Sequence, residues 1–290
     1  MLAVSGGADS VALLRGAAHL VASGRRAWRL TVAHLDHQLR PESAVDADAV
    51  RDMAAALHLP FEIGRTDVGA LATAERRSIE EAGREARYRF LATVAGDEGW
   101  VATAHTLDDS VETVLLNLLR GSGLGGVGGI PARRGRIVRP LLRARRDELR
   151  TVLDQAGIAY RDDPSNTDPA YLRNRVRAEL LPMLESLRPG AIEAIGRFAA
   201  LAADDDALLD DVAAIERSRR TGADGIDWRD PPGRAIGRRV LRQAIGEPAP
   251  NAERIEALLV AAETGRGGAV IELGGGRRAT IRDRRIRIGE

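Results

Sequence analysis

The chain has 290 residues, 44% hydrophobic and 29% charged, and its 43 basic residues stand against 42 acidic ones for a net charge of +1. That length suits about two domains with a sizeable core, and no apolar run reaches the roughly 18 to 20 residues of a membrane span or resembles a secretory signal. With no cysteine, disulfides, thiolate metal sites, iron–sulfur clusters and cysteine nucleophiles are excluded, and a cytoplasmic enzyme is the natural expectation.

Apolar runs and helix-period stretches alternate through the first half. The pattern predicts strands at Leu2 to Val4, Trp28 to Leu35, Phe61 to Val68 and Trp100 to Ala104. Each is followed by a predicted helix, at Asp9 to Val21, Glu42 to Leu57, Ile79 to Val94 and Leu107 to Leu119. Repeated β-α order implies a doubly wound, mainly parallel α/β sheet, which binds ligands at the carboxyl ends of its strands. Only Met1 precedes the first strand, which is short for a central one, so a natural start upstream of Met1 is expected. A glycine-rich connection, Gly121 to Gly129, leads to a strand at Ile137 to Leu142 and a helix at about Arg145 to Ala156. Helical patterns run on to about Arg220, followed by helices near Arg234 and Ala252 and a closing β-hairpin from Ala269. The expected organisation is a main domain at 1–188, a helical linker at 189–220 and a small α+β domain at 221–290.

All the basic residues are arginine, a bias that genomic base composition explains. Their arrangement says more. Residues 133–150 carry eight arginines against Asp147 and Glu148, and residues 277–287 carry six against Asp283. Such stretches suit a phosphate-rich partner or a solvated surface.

Five stretches carry candidate chemistry. In "SGGADS" two glycines let backbone amides approach an anion, serine hydroxyls can donate, and a helix N-terminus follows. The stretch reads as an anion cradle, with a capped strand-to-helix turn as the alternative. It is not a Walker loop, since no GxxxxGK[ST] occurs and the chain has no lysine. "HLDHQLR" places His34, Asp36 and His37 at the end of the second strand, as a strand cap or part of a metal site. In "SIEEAGREARYRF", Ser78 can cap a helix whose Glu81, Arg84, Arg87 and Tyr88 fall near one face. Exposed ion pairs such as Glu80 with Arg84 explain the same spacing equally well. In "ATAHTLDDSVETVLLNLL", Leu107, Val111, Val114, Leu115 and Leu118 form an apolar stripe, leaving Asp108, Asp109, Glu112 and Thr113 on the other side. Asp109 and Glu112, three apart, can converge on a cation such as Mg²⁺, while a capping box of Thr106 with Asp109 explains the same spacing. "DDPSNTDPAYLRNRVRAELLP" offers a turn at Asp162 to Asp168, then Arg173, Arg175 and Arg177 on a helix ending at Pro182. "GSGLGG" fits GxGxxG by letter but follows a helix, so a dinucleotide site is rejected in favour of a mobile loop or plain connector.

"SGGADS" after a strand resembles the PP-loop of the N-type ATP pyrophosphatases, which cleave ATP between its α and β phosphates. The other stretches narrow the resemblance. "HLDHQLR", the E-x-x-R-x-x-R-Y run at Glu81 to Tyr88, the H-x-x-x-D-x-x-E-T run at His105 to Thr113 and the D-x-S-N-x-D-x-x-Y-x-R-N-x-x-R stretch are similar to the tRNA(Ile)-lysidine synthetases. This similarity extends to about residue 188 and is looser beyond.

It implies a PP-loop catalytic domain at 1–188 and a tRNA-contacting domain at 221–290. Ser5, Gly6, Gly7, Ala8, Asp9 and Ser10 would bind ATP, and Asp109 with Glu112 would hold Mg²⁺. Asp36, Arg84, His105 and Asp109 would be catalytic, with Arg87 beside Arg84 at the phosphates or RNA, and Arg173, Arg175 and Arg177 would contact tRNA. The implied substrates are ATP, L-lysine and a tRNA(Ile) with a CAU anticodon, and no membrane is involved; a homodimer is compatible with the resemblance. The wobble cytidine C2 oxygen would attack the α-phosphate, and the lysine ε-amine would then displace AMP, with the base left open between Asp36 and His105. Competing readings are an NAD or GMP synthetase type of PP-loop ligase, a sulfur-inserting tRNA enzyme, which the absence of cysteine disfavours, and a non-catalytic RNA-binding protein.

Overall fold

The computed structural model describes residues 1–39, 43–161, 171–265 and 267–289. Arg40 and the Asp162 to Asp168 turn lie outside the described residues. The chain forms two compact units, Met1–Ala200 and Leu201–Glu290.

The first unit opens with β1 (Leu2–Ala3), α1 (Ala8–Ala22), β2 (Val32–Asp36), α2 (Ser43–Ala56) and β3 (Phe61–Arg65). It continues with α3 (Val68–Glu75), α4 (Ile79–Ala95), β4 (Val101–Ala102), α5 (Leu107–Leu119) and α6 (Leu124–Val127). Then come β5 (Arg133–Arg134), β6 (Ile137–Val138), α7 (Arg146–Gln155), α8 (Leu172–Arg175), a π-helical turn (Val176–Leu180) and α9 (Leu181–Leu187). Helix α10 (Ala191–Arg220) begins in this unit. The sheet runs β3-β2-β1-β4-β6-β5, parallel throughout except for β5 on β6. The chain steps outward from β1 to β3 and returns on the other side of β1 with β4. The boundary between β1 and β4 is therefore the topological switch point, where the loops at the carboxyl ends diverge and leave a crevice.

Apolar packing sets which loops meet there. Leu2, Val4, Leu13, Leu14, Val32 and Val50 form the core beneath β1, each large side chain contributing roughly 1.5–3 kcal/mol on burial. Ala8 and Val11 of α1 pack on Leu153 of α7. Val111 and Leu116 of α5 pack with Val176, Leu181 and Ile192. These two contacts draw α7 and the α8–α9 segment over the N-terminal ends of α1 and α5.

The second unit holds β7 (Thr221–Gly222), β8 (Gly225–Asp227), α11 (Arg234–Ile245), α12 (Ala252–Thr264), β9 (Ala269–Gly274), β10 (Arg277–Arg282) and β11 (Arg285–Gly289). Its antiparallel sheet, ordered β7-β8-β11-β10-β9, closes over Trp228, Leu241, Leu258, Leu259 and Ile286. Along β10, Ala279 and Ile281 are buried while Arg278 and Arg282 are exposed, the alternation of a sheet covered on one face.

Several expectations need adjustment. The strand expected at Phe61 to Val68 stops at Arg65, because Asp67 accepts from the Ala70 N–H at 2.9 Å and caps α3. The strands expected from Trp28 and from Ile137 to Leu142 are shorter, as β2 and β6. The helix carrying Arg173, Arg175 and Arg177 does not end at Pro182. Pro182 sits in the first turn of α9, directly after the π-helical turn, where its missing N–H is tolerated. The closing hairpin is a three-stranded run, β9 to β11.

Candidate nucleotide site and its charge cluster

Between β1 and α1 the chain turns through Gly6, whose φ of +91° belongs to glycine. Ser10 fills the turn: its Oγ accepts from the N–H groups of Ser5 at 3.1 Å and Gly6 at 3.2 Å and donates to the Gly7 carbonyl at 2.9 Å. Ser5 Oγ stands 3.2 Å from the same hydroxyl. Ser10 thus satisfies the turn internally, and the first-turn N–H groups of α1 with the Ser5 hydroxyl are the donors suited to phosphate oxygens.

Across the crevice, α5 starts with a capping box: Asp109 accepts from the N–H of Thr106 at 2.8 Å while Thr106 Oγ1 accepts from the Asp109 N–H at 3.3 Å. The capping reading of this spacing is thus realised through Oδ2, and Oδ1 remains for other partners. Asp108, Asp109 and Glu112 are buried, Glu112 as completely as Val111, while Leu118 of the expected apolar stripe is 51% exposed. α5 is therefore covered on its acidic side too, and arginines cover it.

Arg146 is the central one. It donates to Asp9 at 3.2 Å, to Asp109 at 2.8 Å and to Glu112 at 3.4 Å, and its N–H donates to Asp108 at 2.8 Å. Arg177 donates to both oxygens of Glu112, at 2.7 and 3.1 Å, and to Asp109 at 3.2 Å. Arg173 donates to Glu112 at 2.9 Å. Arg145 bridges Asp108 and Glu193. Burying such charges costs several kcal/mol per ion unless each is paired, and here each is.

The pairing shows in the acidities. Burial opposes ionisation of Asp109, but Arg146, the Thr106 N–H, Arg173 and Arg177 outweigh it and hold its carboxyl below the usual range. Burial prevails at Asp9 and raises its pKa against Arg146; Asp9 Oδ1 is buried and has no protein partner.

His105, after β4, lies 3.0 Å from Thr103 Oγ1 through Nδ1. Burial, opposed by Asp109 and reinforced by Arg139, Arg84 and Arg173, lowers it to about 4. Arg84 stacks 5.0 Å over the Tyr88 ring and lines a hollow of about 470 Å³ with Val101, Arg136, Ile137 and Arg139. Ser78 and Glu81 form the capping box of α4.

A second group gathers at the end of β2. His34 Nδ1 donates to the Val4 carbonyl at 2.8 Å. Asp36 accepts from the Gln38 N–H at 2.9 Å, and Arg87 donates to His37 Nε2 at 3.2 Å. Burial, with Arg87 and His34 adding, lowers His37 to about 4.

The structure thus brings Asp9, Asp109, Glu112, Arg173 and Arg177 together and gathers Asp36 with His34 and His37 one strand away. Arg175 turns outward to Glu179, at 3.2 Å. Sequence reasoning missed Arg145 and Arg146, which were visible only as part of the arginine-rich 133–150 stretch. The loop at Gly121 to Gly129 is tied to α5: Asn117 donates to the Gly126 carbonyl at 2.7 Å and Ser110 Oγ accepts from the Ile130 N–H at 3.1 Å.

A phosphate cradle after β1, facing buried carboxylates after β4 across the switch point, defines a nucleotide-binding α/β domain. Residues 1–184 match the PP-loop domain family model. The tRNA(Ile)-lysidine synthase of Salinispora tropica is 40% identical, over 99% of this chain and 89% of that protein. The tRNA(Ile)-lysidine synthases of Thermus thermophilus and Geobacter sulfurreducens are 47% and 43% identical over 72% and 84% of this chain. The chain spans only 40% and 54% of the length of those two relatives. A solved structure of the U34-tRNA thiolase NcsA from Methanococcus maripaludis with its [4Fe-4S] cluster superposes with a TM-score of 0.56 at 17% identity, covering 70% of this chain and 71% of that one; the likeness is one of fold. The chain belongs to the tRNA(Ile)-lysidine synthase family of PP-loop proteins.

Proposed function

We propose that this chain forms lysidine, joining L-lysine to C2 of the wobble cytidine of a tRNA(Ile) with a CAU anticodon and converting ATP to AMP and diphosphate. The observation that carries the reading is the meeting of the PP-loop with the α5 acids at the switch point, in a chain of this family.

The N–H groups at the start of α1 and the Ser5 hydroxyl receive the phosphates of ATP that leave as diphosphate, while Ser10 holds the turn in shape through its bonds to Ser5, Gly6 and Gly7. Asp109 and Asp9, whose Oδ1 lacks a protein partner, are hard oxygen donors that fit Mg²⁺. Among the described residues no three His, Asp or Glu side chains form a metal cluster, so phosphate oxygens would complete the set. Glu112, the other half of the expected metal pair, joins it only if its arginines turn to phosphate. When bound, Mg²⁺ would neutralise charge on the phosphates as the adenylyl group is transferred and diphosphate leaves.

The cytidine C2 oxygen attacks the α-phosphorus and diphosphate leaves. The lysine ε-amine then adds at C2, and AMP departs with the former C2 oxygen. Arg84, Arg173 and Arg177 supply positive charge to the phosphates. His105, neutral at pH 7, accepts a hydrogen bond from the amine, and Asp36 is the other candidate to take its proton. Arg175, outward on α8, and Arg278 and Arg282, outward on β10, are the tRNA contacts this reading favours. A tRNA substrate places the protein in the cytoplasm; no helix among the described residues is long and apolar enough to cross a membrane.

The test is incorporation of labelled lysine into a CAU-anticodon tRNA(Ile) transcript with ATP and Mg²⁺, using a methionine tRNA with the same anticodon as control. Label in the isoleucine tRNA alone is expected. Diphosphate release without lysine transfer would point to another PP-loop ligase.

A further inference from the structure

Among the described residues, three carboxylates of the crevice, Asp9, Asp109 and Glu112, lie within 3.5 Å of three guanidinium groups, Arg146, Arg173 and Arg177. The set is formally neutral. Only Arg146 of the three pairs with all the acids, and only it pairs with Asp9 of the PP-loop. It is also fixed from outside the cluster, since its N–H is held by Asp108 and α7 is packed on α1 through Leu153. Its side chain is 15% exposed.

A neutral crevice resists either ion alone. A lone divalent cation meets a guanidinium already seated among the carboxylates, and a lone triphosphate meets carboxylates behind the cradle. When both arrive together, partners can be exchanged, cation to carboxylate and guanidinium to phosphate, with no charge left unpaired. We propose that Arg146 is a specificity-determining residue, the internal counter-ion of Asp9 and Asp109 that makes the crevice select the cation–nucleotide complex over either ion by itself. The inference rests on the nucleotide reading above and concerns what sets its selectivity.

The experiment uses the full chain and needs no turnover. Binding of Mn²⁺ alone is followed by electron paramagnetic resonance, and binding of ATP in chelator and of Mn²⁺–ATP by calorimetry, for the wild type, R146Q, R146K and D9N. Wild type is expected to bind the complex far more tightly than either ion. R146Q should bind Mn²⁺ alone about tenfold or more tightly than wild type, a conservative reading of one charge removed within about 4 Å at an effective dielectric of about 20. R146K, which keeps the charge, should follow wild type. D9N, with one negative charge fewer, should bind ATP in chelator about tenfold more tightly, and it decides the matter if R146Q does not fold. Mn²⁺ affinity of folded R146Q within about twofold of wild type, or R146K behaving as R146Q, overturns the inference while leaving the nucleotide reading intact. No binding of Mn²⁺–ATP to wild type overturns both.

Discussion

Glu112→Gln tests whether the crevice is held by charge or by shape. The substitution keeps the size of a side chain with no exposure but removes the negative charge, and turns one of the two acceptor oxygens into a donor, facing Arg177 at 2.7 Å, Arg173 at 2.9 Å and Arg146 at 3.4 Å. Removing one partner from a buried ion cluster typically costs about 3–5 kcal/mol. All three arginines retain Asp109 within 3.5 Å, which places the expected loss near the lower end, about 3 kcal/mol. Against a total stability on the order of 5–15 kcal/mol, that is a large fraction. Urea unfolding by circular dichroism measures it, and because the two units need not unfold together, hydrogen exchange of peptides from α5 and from residues 172–187 assigns the loss to the first unit. A cycle with Arg177→Gln should give a coupling of about 1–3 kcal/mol. A loss under about 1 kcal/mol, with the pair additive within about 0.5 kcal/mol, would refute the view that these charges hold α8 and α9 to α5.

Gly6→Ala adds a Cβ that among the described residues meets only Val50, at 3.5 Å, so its cost is the backbone at φ +91°, about 1–2 kcal/mol; calorimetry should show ATP affinity falling about tenfold. Asp109→Asn should abolish diphosphate release and also lower the melting temperature, since one oxygen caps α5 and the other accepts from Arg146 and Arg177; turnover at the wild-type rate would remove it from the site. His37 and His105 are held neutral, near 4 in the fold against about 6.5 unfolded. Unfolding below pH 6.5 lets each take a proton, so their contribution is present above about pH 7 and lost as pH falls toward 4, about 1–2 kcal/mol each at pH 5. Asp9, raised in the fold, opposes this trend. Urea midpoints at pH 7 and pH 5 should diverge less in His105→Gln than in wild type, and an equal drop would mean that His105 is not buried neutral.

What could be read along the chain was what short-range chemistry decides. Gly6 and Gly7 before an apolar helix announce a tight strand-to-helix turn because backbone freedom and the helix terminus are local properties. Thr106 and Asp109 announce a helix start because a cap spans three residues, and the β-α alternation yields the parallel sheet because pleat and helix periods are written every few residues. Even there, the arrangement overrode some local readings: Asp67 capped a helix out of an expected strand end, and the π-helical turn carried the helix past Pro182. The crevice itself was decided by tertiary structure. Strand order alone sets β1 beside β4, and Arg146 meets Asp9 from 137 residues away only because Leu153 packs on α1. Arg173 and Arg177, read as tRNA contacts, turn toward Glu112 because Val176 and Leu181 are drawn into the core with Val111. A charge finds its partner through the folding of apolar residues elsewhere, so the acids and arginines were legible as residue types in the sequence, while their pairing into a neutral cluster depends on distances that only packing fixes.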